Sequence, residues 1–483
     1  MAYRYGNRTQ VMLLPISIED YVGTEDPVRA YDAFVDALDL SELGIEVEEN
    51  QVGPPEYDPV SMLKLLVYGY SYGNRSSRKL ERALYHNLSF IWLGGGIRPD
   101  HKTISSFRRK HRKALAKVLG QCARMCLRLG LVDGNILFVD GSKFRANASK
   151  EQTWDSPRCE ETLVEVDRRV ERLLEDIETI DQQEEGQESW VRMKEELTEQ
   201  QELRRKVQEI AQTLKGRKNL KKGTAPLNVV DPDSALITRK GETLQGYNGQ
   251  IVCDGQQGLI VSAEVVNRPN DKQQLATQIQ QAEENLGQRC ATVVADAGYY
   301  STQTAAQLVD QGTQVILPTP KSATAWDIPE SFGKAAFRYD AEQDCYRCPQ
   351  GHRLRWIKQD HRRSGHVYTI EKAEVCRTCL HWGVCTQSKV GRSVVRLEQE
   401  ELRETLRKQF EQPEIKKVFA RRKAVVEHPF GHLKRNLGMR TFLLRGLLGV
   451  KAEFALGATA FNLTRVLRLL GGTTPFLTVL RSG

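Results

Sequence analysis

The stretch that decides the fold is residues 293–301, VVADAGYYS. A short apolar run ends at Asp296, Gly298 favours a turn, and Ser301 can cap a following helix. We therefore predict a strand that delivers the Asp296 carboxylate to the carboxyl edge of a sheet. Open α/β folds place their functional sites at that edge.

Two other stretches provide acids of the same kind. Residues 136–141, ILFVDG, are again an apolar run that ends in an aspartate, Asp140, and residues 425–431, VVEHPFG, contain Glu427. We predict that Asp140, Asp296 and Glu427 hold metal ions together and that the rest of the chain brings a substrate to them or supports them.

The totals limit the class of protein. A chain of 483 residues is long enough for about two to four domains. Its net charge of +8, from 70 basic and 62 acidic residues, suits a polyanionic partner if the basic residues cluster. The absence of a signal-peptide pattern and of a long apolar run predicts a protein of the cytoplasm or nucleoid with no membrane partner. The ten cysteines are then thiols or metal ligands rather than a disulfide framework.

Residues 1–130 are predicted to be helical. Helices are expected after Asp58, Ser76 and Thr103, and the third carries Arg108 and Arg109. Short helices with exposed basic residues favour a helix-turn-helix-like DNA-binding region. A helical oligomerisation domain with solvated charges fits the same pattern equally well.

The order of the predicted strands indicates the fold class. Strands at 135–140, 247–253 and 259–266 would form a meander, and helices then alternate with strands near 293 and 315. This is the order of an α/β fold with a ribonuclease H-like mixed sheet and flanking helices. We assign its three parts to residues 131–156, 223–320 and 399–483.

Two insertions interrupt this sheet. Within residues 157–222 the apolar positions are spaced as in a coiled coil, which predicts an antiparallel helical hairpin. These positions are Leu163, Val166, Val170, Leu173, Ile177 and Ile180. The role of the hairpin is expected to be structural or self-associating.

The second insertion, residues 321–398, is rich in cysteine. Two C-x-x-C pairs, Cys345 with Cys348 and Cys376 with Cys379, have the spacing of a small zinc ribbon. These four are the first choice of Zn²⁺ ligands, Cys385 can replace either of the last two, and His352 or His381 can contribute. The alternative is a module of reduced, partly buried thiols without metal.

The chain after residue 400 is predicted to be helical and basic. In a regular helix Glu427 and Lys434 lie about 20° apart in azimuth, with Lys423 on the same face. This predicts one metal-binding acid within a basic stripe, where Lys423, Lys434 and Arg435 contact phosphates. Pro429 is expected to kink or begin the helix. The alternative is a surface helix with ordinary ion pairs.

Taken together, these motifs resemble those of a known family. The stretches that carry the resemblance are SSRKLE (76–81), PDHKTISSFR (99–108), DGSK (140–143), ANAS (146–149), GYN (246–248), ADAGYYS (295–301) and VEHPFG (426–431). The chain resembles, nearly end to end, DDE transposases of bacterial insertion sequences, in the subgroup with a long Cys-rich insertion before the catalytic glutamate. The family signature Tyr-x2-Arg-x3-Glu-x6-Lys matches at Glu427 and Lys434, whereas Lys423 and Ala420 stand at the arginine and tyrosine positions.

The resemblance implies a chemistry and partners. Asp140, Asp296 and Glu427 would hold two Mg²⁺ (or Mn²⁺) ions that support cleavage of transposon ends and transfer of the 3′ ends to target DNA. The partners would be double-stranded terminal inverted repeats and target DNA, bound by a homodimer or a larger assembly. Lys143, Arg108 and Arg109 would add DNA contacts to those of Lys423, Lys434 and Arg435.

Two other functions remain as alternatives. One is a metal-dependent DNA nuclease without strand transfer, and the other is a catalytically inactive, zinc-containing DNA-binding regulator. Intact acids at all three positions favour the transposase over the regulator.

Overall fold

The computed structural model is mixed α/β and contains two compact units. It describes residues 17–45, 56–183, 187–216, 218–219, 223–224, 226–239, 241–319, 328–361 and 364–482. The first unit comprises residues up to 271, 277–291 and 422 to the end, and the second comprises 272–276 and 292–421. The six segments predicted from the sequence are thus grouped here into two units.

The described residues form helices of very different lengths. In chain order they are α1 (Pro27–Asp36), α2 (Leu40–Leu43), α3 (Pro59–Ser71), α4 (Ser77–His86), α5 (Leu88–Leu93), α6 (His101–Lys110), α7 (Arg112–Arg128), α8 (Ser156–Gln183), α9 (Gln187–Gly216), α10 (Leu275–Leu286), α11 (Thr302–Asp310), α12 (Ala373–Arg377), α13 (Glu400–Glu411), α14 (Pro413–Gly431), α15 (Leu447–Leu470) and α16 (Thr473–Ser482). Among the helices in the described part of the chain, none is long and apolar enough to cross a bilayer.

The strands fall into several sheets. In chain order they are β1 (Ile136–Arg145), β2 (Thr153–Trp154), β3 (Lys218–Asn219), β4 (Gly223–Thr224), β5 (Leu227–Asn228), β6 (Ala235–Arg239), β7 (Glu242–Asp254), β8 (Ile260–Val266), β9 (Thr292–Val294), β10 (Gln314–Ile316), β11 (Arg338–Asp340), β12 (Cys345–Arg347), β13 (Arg353–Asp360), β14 (Gly365–Ile370) and β15 (Ser393–Leu397).

Helix α15 is the core of the helical part of the first unit. It packs against α7, α3 and strand β8, and most of its residues between Gly449 and Val466 are buried. A helix that is apolar on nearly all sides is stable only inside a protein, because exposing it would leave a large apolar surface in water. The N-terminal helices therefore enclose α15 as a common core.

Helix starts in this region differ in detail from the predictions. Helix α6 begins after Asp100, whose carboxylate accepts a hydrogen bond from the backbone N–H of Thr103 at 2.7 Å. Thr103 is therefore inside the helix, and the prediction that it is the cap is wrong. Asp58 caps α3 as predicted, because its carboxylate accepts from Ser61 N at 2.8 Å.

The sheet of the first unit is built on the long strand β7. It pairs antiparallel with β1 on one side, and with β6 and β8 on the other. Strands β1, β7 and β8 form the predicted meander. Strand β1, however, extends to Arg145 rather than ending at Asp140, so the predicted strand end is wrong.

Helices α8 and α9 form the predicted antiparallel hairpin. Arg169 on α8 pairs with Glu196 on α9 at 2.7 Å, and Asp167 pairs with Arg204 at 2.6 Å. The earlier residue of α8 thus meets the later residue of α9, which requires an antiparallel pair. Val166, Leu173, Ile177, Val207 and Leu214 are buried, whereas the side chain of Ile180 is outside the described residues.

The second unit combines a parallel strand pair with a separate antiparallel sheet. Strands β9 and β10 are parallel and are joined through α11. Strands β11 to β15 follow one another in an antiparallel sheet whose core contains Phe337, Tyr346, Leu354, Tyr368, Ile370 and Val394. The Cys-rich insertion is therefore supported by a five-stranded sheet, which is larger than the small ribbon that was predicted.

Candidate active site

Asp296 lies where the sequence predicts it, two residues after strand β9 ends. Its carboxylate accepts from Gly298 N at 2.8 Å and begins a 3-10 turn, Ala297–Tyr299. Ser301 then caps α11, since its hydroxyl accepts from Thr304 N. Each step is local, which explains why the short sequence motif predicts the arrangement correctly.

Asp140 lies in the middle of strand β1, opposite Ile251 of β7. Because side chains alternate along a strand, Asp140 shares one face with Ser142 and Phe144, whereas Gly141 and Lys143 point to the other face. We call the first of these the Asp140 face. The Asp140 carboxylate therefore projects from the middle of a strand and not from a turn at the strand end.

Two basic residues cover the Asp140 face. Arg422 Nη1 lies 3.2 Å from Asp140 Oδ1, and the two side chains are 17% and 20% exposed. Lys434 Nζ donates to Ser142 Oγ and, at 3.0 Å, to the carbonyl oxygen of Lys143. The same ammonium lies 4.4 Å from the ring centroid of Phe144, a favourable cation–π distance. Lys434 is thus anchored to β1, which the sequence did not show.

Glu427 is exposed on α14, between these two basic residues along the chain. Helix α14 continues through Pro429 and is followed by a π-helical turn, His432–Asn436. Of the two predicted roles of Pro429, the helix start is therefore excluded, whereas the kink stays a prediction. Proline has no N–H to bond the carbonyl four residues earlier, and π turns introduce a different hydrogen-bond spacing. The regular-helix geometry that relates Glu427 to Lys434 in the sequence therefore does not extend past Gly431.

The opposite face of the first unit's sheet carries another acid, Asp271. Its carboxylate accepts from Asn248 Nδ2 at 2.7 Å and from Gln250 Nε2 at 2.6 Å, and Lys143 Nζ lies 3.6 Å away. A Cβ added to Gly141 would come within 2.5 Å of Asp271 Oδ1, so a larger residue there would displace the Asp271 carboxylate. Aspartate is a common helix-capping residue, but α10 begins only at Leu275, so Asp271 does not cap it.

This cluster changes the expectation for Lys143. Lys143 pairs with Asp271 and points away from the Asp140 face, so the phosphate contact predicted for it would require the pair to separate. In the sequence, this polar cluster is indicated only by Asn248 and Gln250, which lie two residues apart and therefore on the same face of the predicted strand.

The remaining predicted DNA contacts differ in exposure. Lys423, Arg435 and Arg109 are exposed. Arg108 is only 4% exposed and donates to the carbonyl oxygen of Arg75 at 2.6 Å. The prediction that Arg108 is an exposed DNA contact is therefore wrong, because its position on α6 faces the core.

Two histidines that follow Glu427 along the chain, His428 and His432, have lowered pKa values. Burial lowers the pKa of His428, and Arg465 and Arg468 lower it further. Burial and the neighbouring His428 lower the pKa of His432. Both rings pack near Phe461, with centroid distances of 5.6 and 5.3 Å. Their contacts indicate packing.

The predicted zinc ligands do not come together as one set. Cys345 is fully buried in β12, whereas Cys348, Cys376, Cys379 and Cys385 are partly exposed free thiols. Across the described ranges, no three His, Cys, Asp or Glu side chains are already arranged to hold a metal ion. The carboxylates of Asp140, Asp296 and Glu427 nevertheless have the hard oxygen donors that Mg²⁺ and Mn²⁺ prefer.

Comparison with known families supports a transposase. The model described as "Transposase DDE domain" matches residues 347–467, which include Glu427 and Lys434. The model described as "Transposase domain (DUF772)" matches residues 16–110, the N-terminal helical region. These matches confirm the resemblance to DDE-type transposases of insertion sequences. Comparison with curated proteins gives no significant match.

One solved structure is similar over much of the chain. It is a cryo-EM structure of the piggyBac transposase synaptic complex with hairpin DNA, at 10% sequence identity and a TM-score of 0.34. The similarity covers 95% of this chain and 80% of that chain. A TM-score this low does not establish a shared fold.

Proposed function

We propose that this protein is a DNA transposase that cleaves the ends of its insertion sequence and joins the 3′ ends to target DNA. The proposal rests on the two basic side chains, Arg422 and Lys434, that lie on the Asp140 face. Arg422 and Lys434, which flank Glu427 along the chain, both contact strand β1, so the segment that carries Glu427 approaches Asp140 at both ends. Carboxylates with positively charged side chains beside them suit a phosphodiester substrate.

Asp140, Asp296 and Glu427 would hold Mg²⁺ or Mn²⁺ in a ribonuclease H-like catalytic domain. When bound, two such ions supply activation of the attacking oxygen and stabilisation of the leaving oxygen. The three acids contribute ionised carboxylates, which bind hard cations through oxygen. Arg422 and Lys434 contribute positive charge that offsets the repulsion between these acids and the phosphate.

The reaction consists of two displacements at phosphorus. In the first, water attacks the phosphodiester at the end of the element, the bond from phosphorus to the 3′ oxygen breaks, and a 3′-hydroxyl and a 5′-phosphate result. In the second, this 3′-hydroxyl attacks a phosphodiester of target DNA and displaces the target's own 3′ oxygen. The number of phosphodiester bonds is unchanged in the second step, so no external energy source is needed.

DNA would be bound by the exposed basic residues. Lys423 and Arg435 lie beside the proposed acids along the chain, and Arg109 is exposed on α6 in the N-terminal region. Contacts from such residues to phosphates position the duplex without reading its sequence. Joining two ends requires both to be held at once, so the active form would be a homodimer or a larger assembly.

The proposal is tested with labelled DNA that carries the encoding locus and its flanks, incubated with the protein and Mg²⁺. We expect cuts at both ends and joined products with the wild type, and neither with Asp296→Asn. Asp310→Asn, an exposed aspartate on α11 of the same unit, is the matched control and retains both activities.

The alternatives give different outcomes. Cuts at both ends without joined products, even with target DNA present, would identify a nuclease. Binding of the ends without any metal-dependent cut by the wild type would refute the catalytic role and favour the DNA-binding regulator.

A further inference from the structure

The cysteines of the second unit separate into one isolated thiol and a group of four. Side chains of adjacent strand residues point to opposite faces, so Cys345 and Tyr346 of β12 lie on different sides of the sheet. Tyr346 belongs to the hydrophobic core of that sheet, and Cys348, Cys376 and Cys385 pack against this core. Cys345 therefore faces away from the other thiols.

The group of four lines a small cavity. Its volume is about 30 Å³, which is enough for about one water molecule or one metal ion. Its potential metal ligands are Cys348, Cys376, Cys379, Cys385, His352 and His381. Four cysteines around a space of this size can supply the sulfur donors that zinc prefers in structural sites.

The backbone holds these thiols on tight loops. Cys348 N donates to His352 O and Gly351 N donates to Cys348 O, both at 2.8 Å, and Gly351 has a φ of +84° that favours glycine. On the second loop, Cys385 N donates to His381 O at 2.9 Å. The backbone N–H of Arg392 points to Cys376 Sγ at 3.5 Å. A backbone N–H that points to a cysteine sulfur orients this side chain and stabilises its thiolate form.

We propose that Cys348, Cys376, Cys379 and Cys385 bind one structural zinc ion and that Cys345 is not a ligand. The ion fixes the loop at 348–352 to the loop that carries the other three cysteines. A thiol that turns between staggered χ1 positions moves its sulfur by about 3 Å, so the four can close on an ion at the cavity centre. The site does not depend on the proposed DNA chemistry.

The test uses the full chain, expressed with zinc and purified without a metal-binding tag, and measures zinc by elemental analysis. We expect one zinc per chain in the wild type and background levels in Cys348→Ser, Cys376→Ser, Cys379→Ser and Cys385→Ser. Cys345→Ala is the matched control and keeps one equivalent. A wild type without zinc, or a full equivalent in any of the four serine variants, would overturn the proposal.

A second measurement avoids any variant that folds poorly. Wild-type protein is alkylated with and without prior treatment with a zinc chelator, and each modified cysteine is identified by mass spectrometry. We expect the chelator to increase alkylation of the four proposed ligands severalfold and to leave Cys345 unchanged. Equal alkylation of the four with and without chelator would contradict the site, as would an increase at Cys345 that matches theirs.

Discussion

The first unit contains two acid–arginine pairs that look alike in chemistry and differ in surroundings. In the helical core, Glu453 of α15 is completely buried and lies 2.5 Å from Arg75. Its other oxygen accepts from the backbone N–H groups of Leu443 and Leu444, both at 2.9 Å. On the sheet, Asp140 lies 3.2 Å from Arg422, and both side chains keep about a fifth of their surface exposed.

The difference shows how one kind of contact serves two purposes. A buried charge whose oxygens are all engaged cannot exchange partners, because every lost contact would leave a charged group without solvent. A partly exposed pair can open, because water replaces the lost contact at small cost. We therefore propose that the pair of Glu453 and Arg75 serves stability and that the pair of Asp140 and Arg422 serves function.

The largest expected difference between the two acid–arginine pairs is in their effect on DNA cleavage. We expect Asp140→Asn to reduce metal-dependent cleavage of the element's ends to background, because a neutral amide binds hard cations poorly. The free energy of unfolding should change by less than about 1 kcal/mol. Cleavage assays and denaturant unfolding measure the two quantities. A large loss of stability would show that Asp140, too, is structural.

The second effect is on stability. We expect Arg75→Met to lower the free energy of unfolding by about 3–5 kcal/mol, because it leaves Glu453 buried without its cation. Arg78→Met, at an exposed position on α4, is the control and should change stability by less than about 0.5 kcal/mol. If the two variants unfold at the same denaturant concentration, the buried pair contributes nothing and the comparison fails.

A third effect is the pH dependence of the Arg75→Met variant. Burial raises the pKa of Glu453 above its ordinary value of 4.5, and Arg75 opposes this rise. Between 4.5 and the raised pKa the folded chain keeps a proton that the unfolded chain has released, so stability falls as pH rises through this window. Removing Arg75 extends the window to higher pH.

The stability deficit of Arg75→Met should therefore shrink as the pH is lowered from about 8 to about 5. Denaturant unfolding of both proteins at several pH values measures it. A deficit that stays constant or grows on acidification would contradict the assigned sign.

The smallest effect concerns the exposed pair. We expect Arg422→Ala to bind Mn²⁺ about two- to fivefold more tightly, because the arginine no longer competes for the Asp140 carboxylate. Calorimetric titration without DNA measures this apart from activity, with Arg421→Ala as the neighbouring control. Weaker Mn²⁺ binding in Arg422→Ala would instead mean that the arginine orients Asp140 for the metal.

Local features of the fold were predictable from the sequence. The turn and helix cap after Asp296, the hairpin of α8 and α9 and the β1–β7–β8 meander each follow from hydrophobic periodicity or turn residues. The end of β1 was not predictable in this way. The apolar run ends at Asp140, whereas pairing with a strand about a hundred residues away continues β1 to Arg145.

The sequence alone determined the family resemblance, the identity of the three candidate acids and the pattern of cysteines, because these depend on residue types at short spacing. Only the tertiary structure decided that Arg108 is buried, that Asp271 lies across the sheet from Asp140 and that Cys345 faces away from the other thiols. The physical reason is that burial, strand register and ion pairing are set by contacts between residues far apart in the chain. Arg422 and Asp140 are 282 residues apart in sequence and 3.2 Å apart in space, and no local pattern could have paired them.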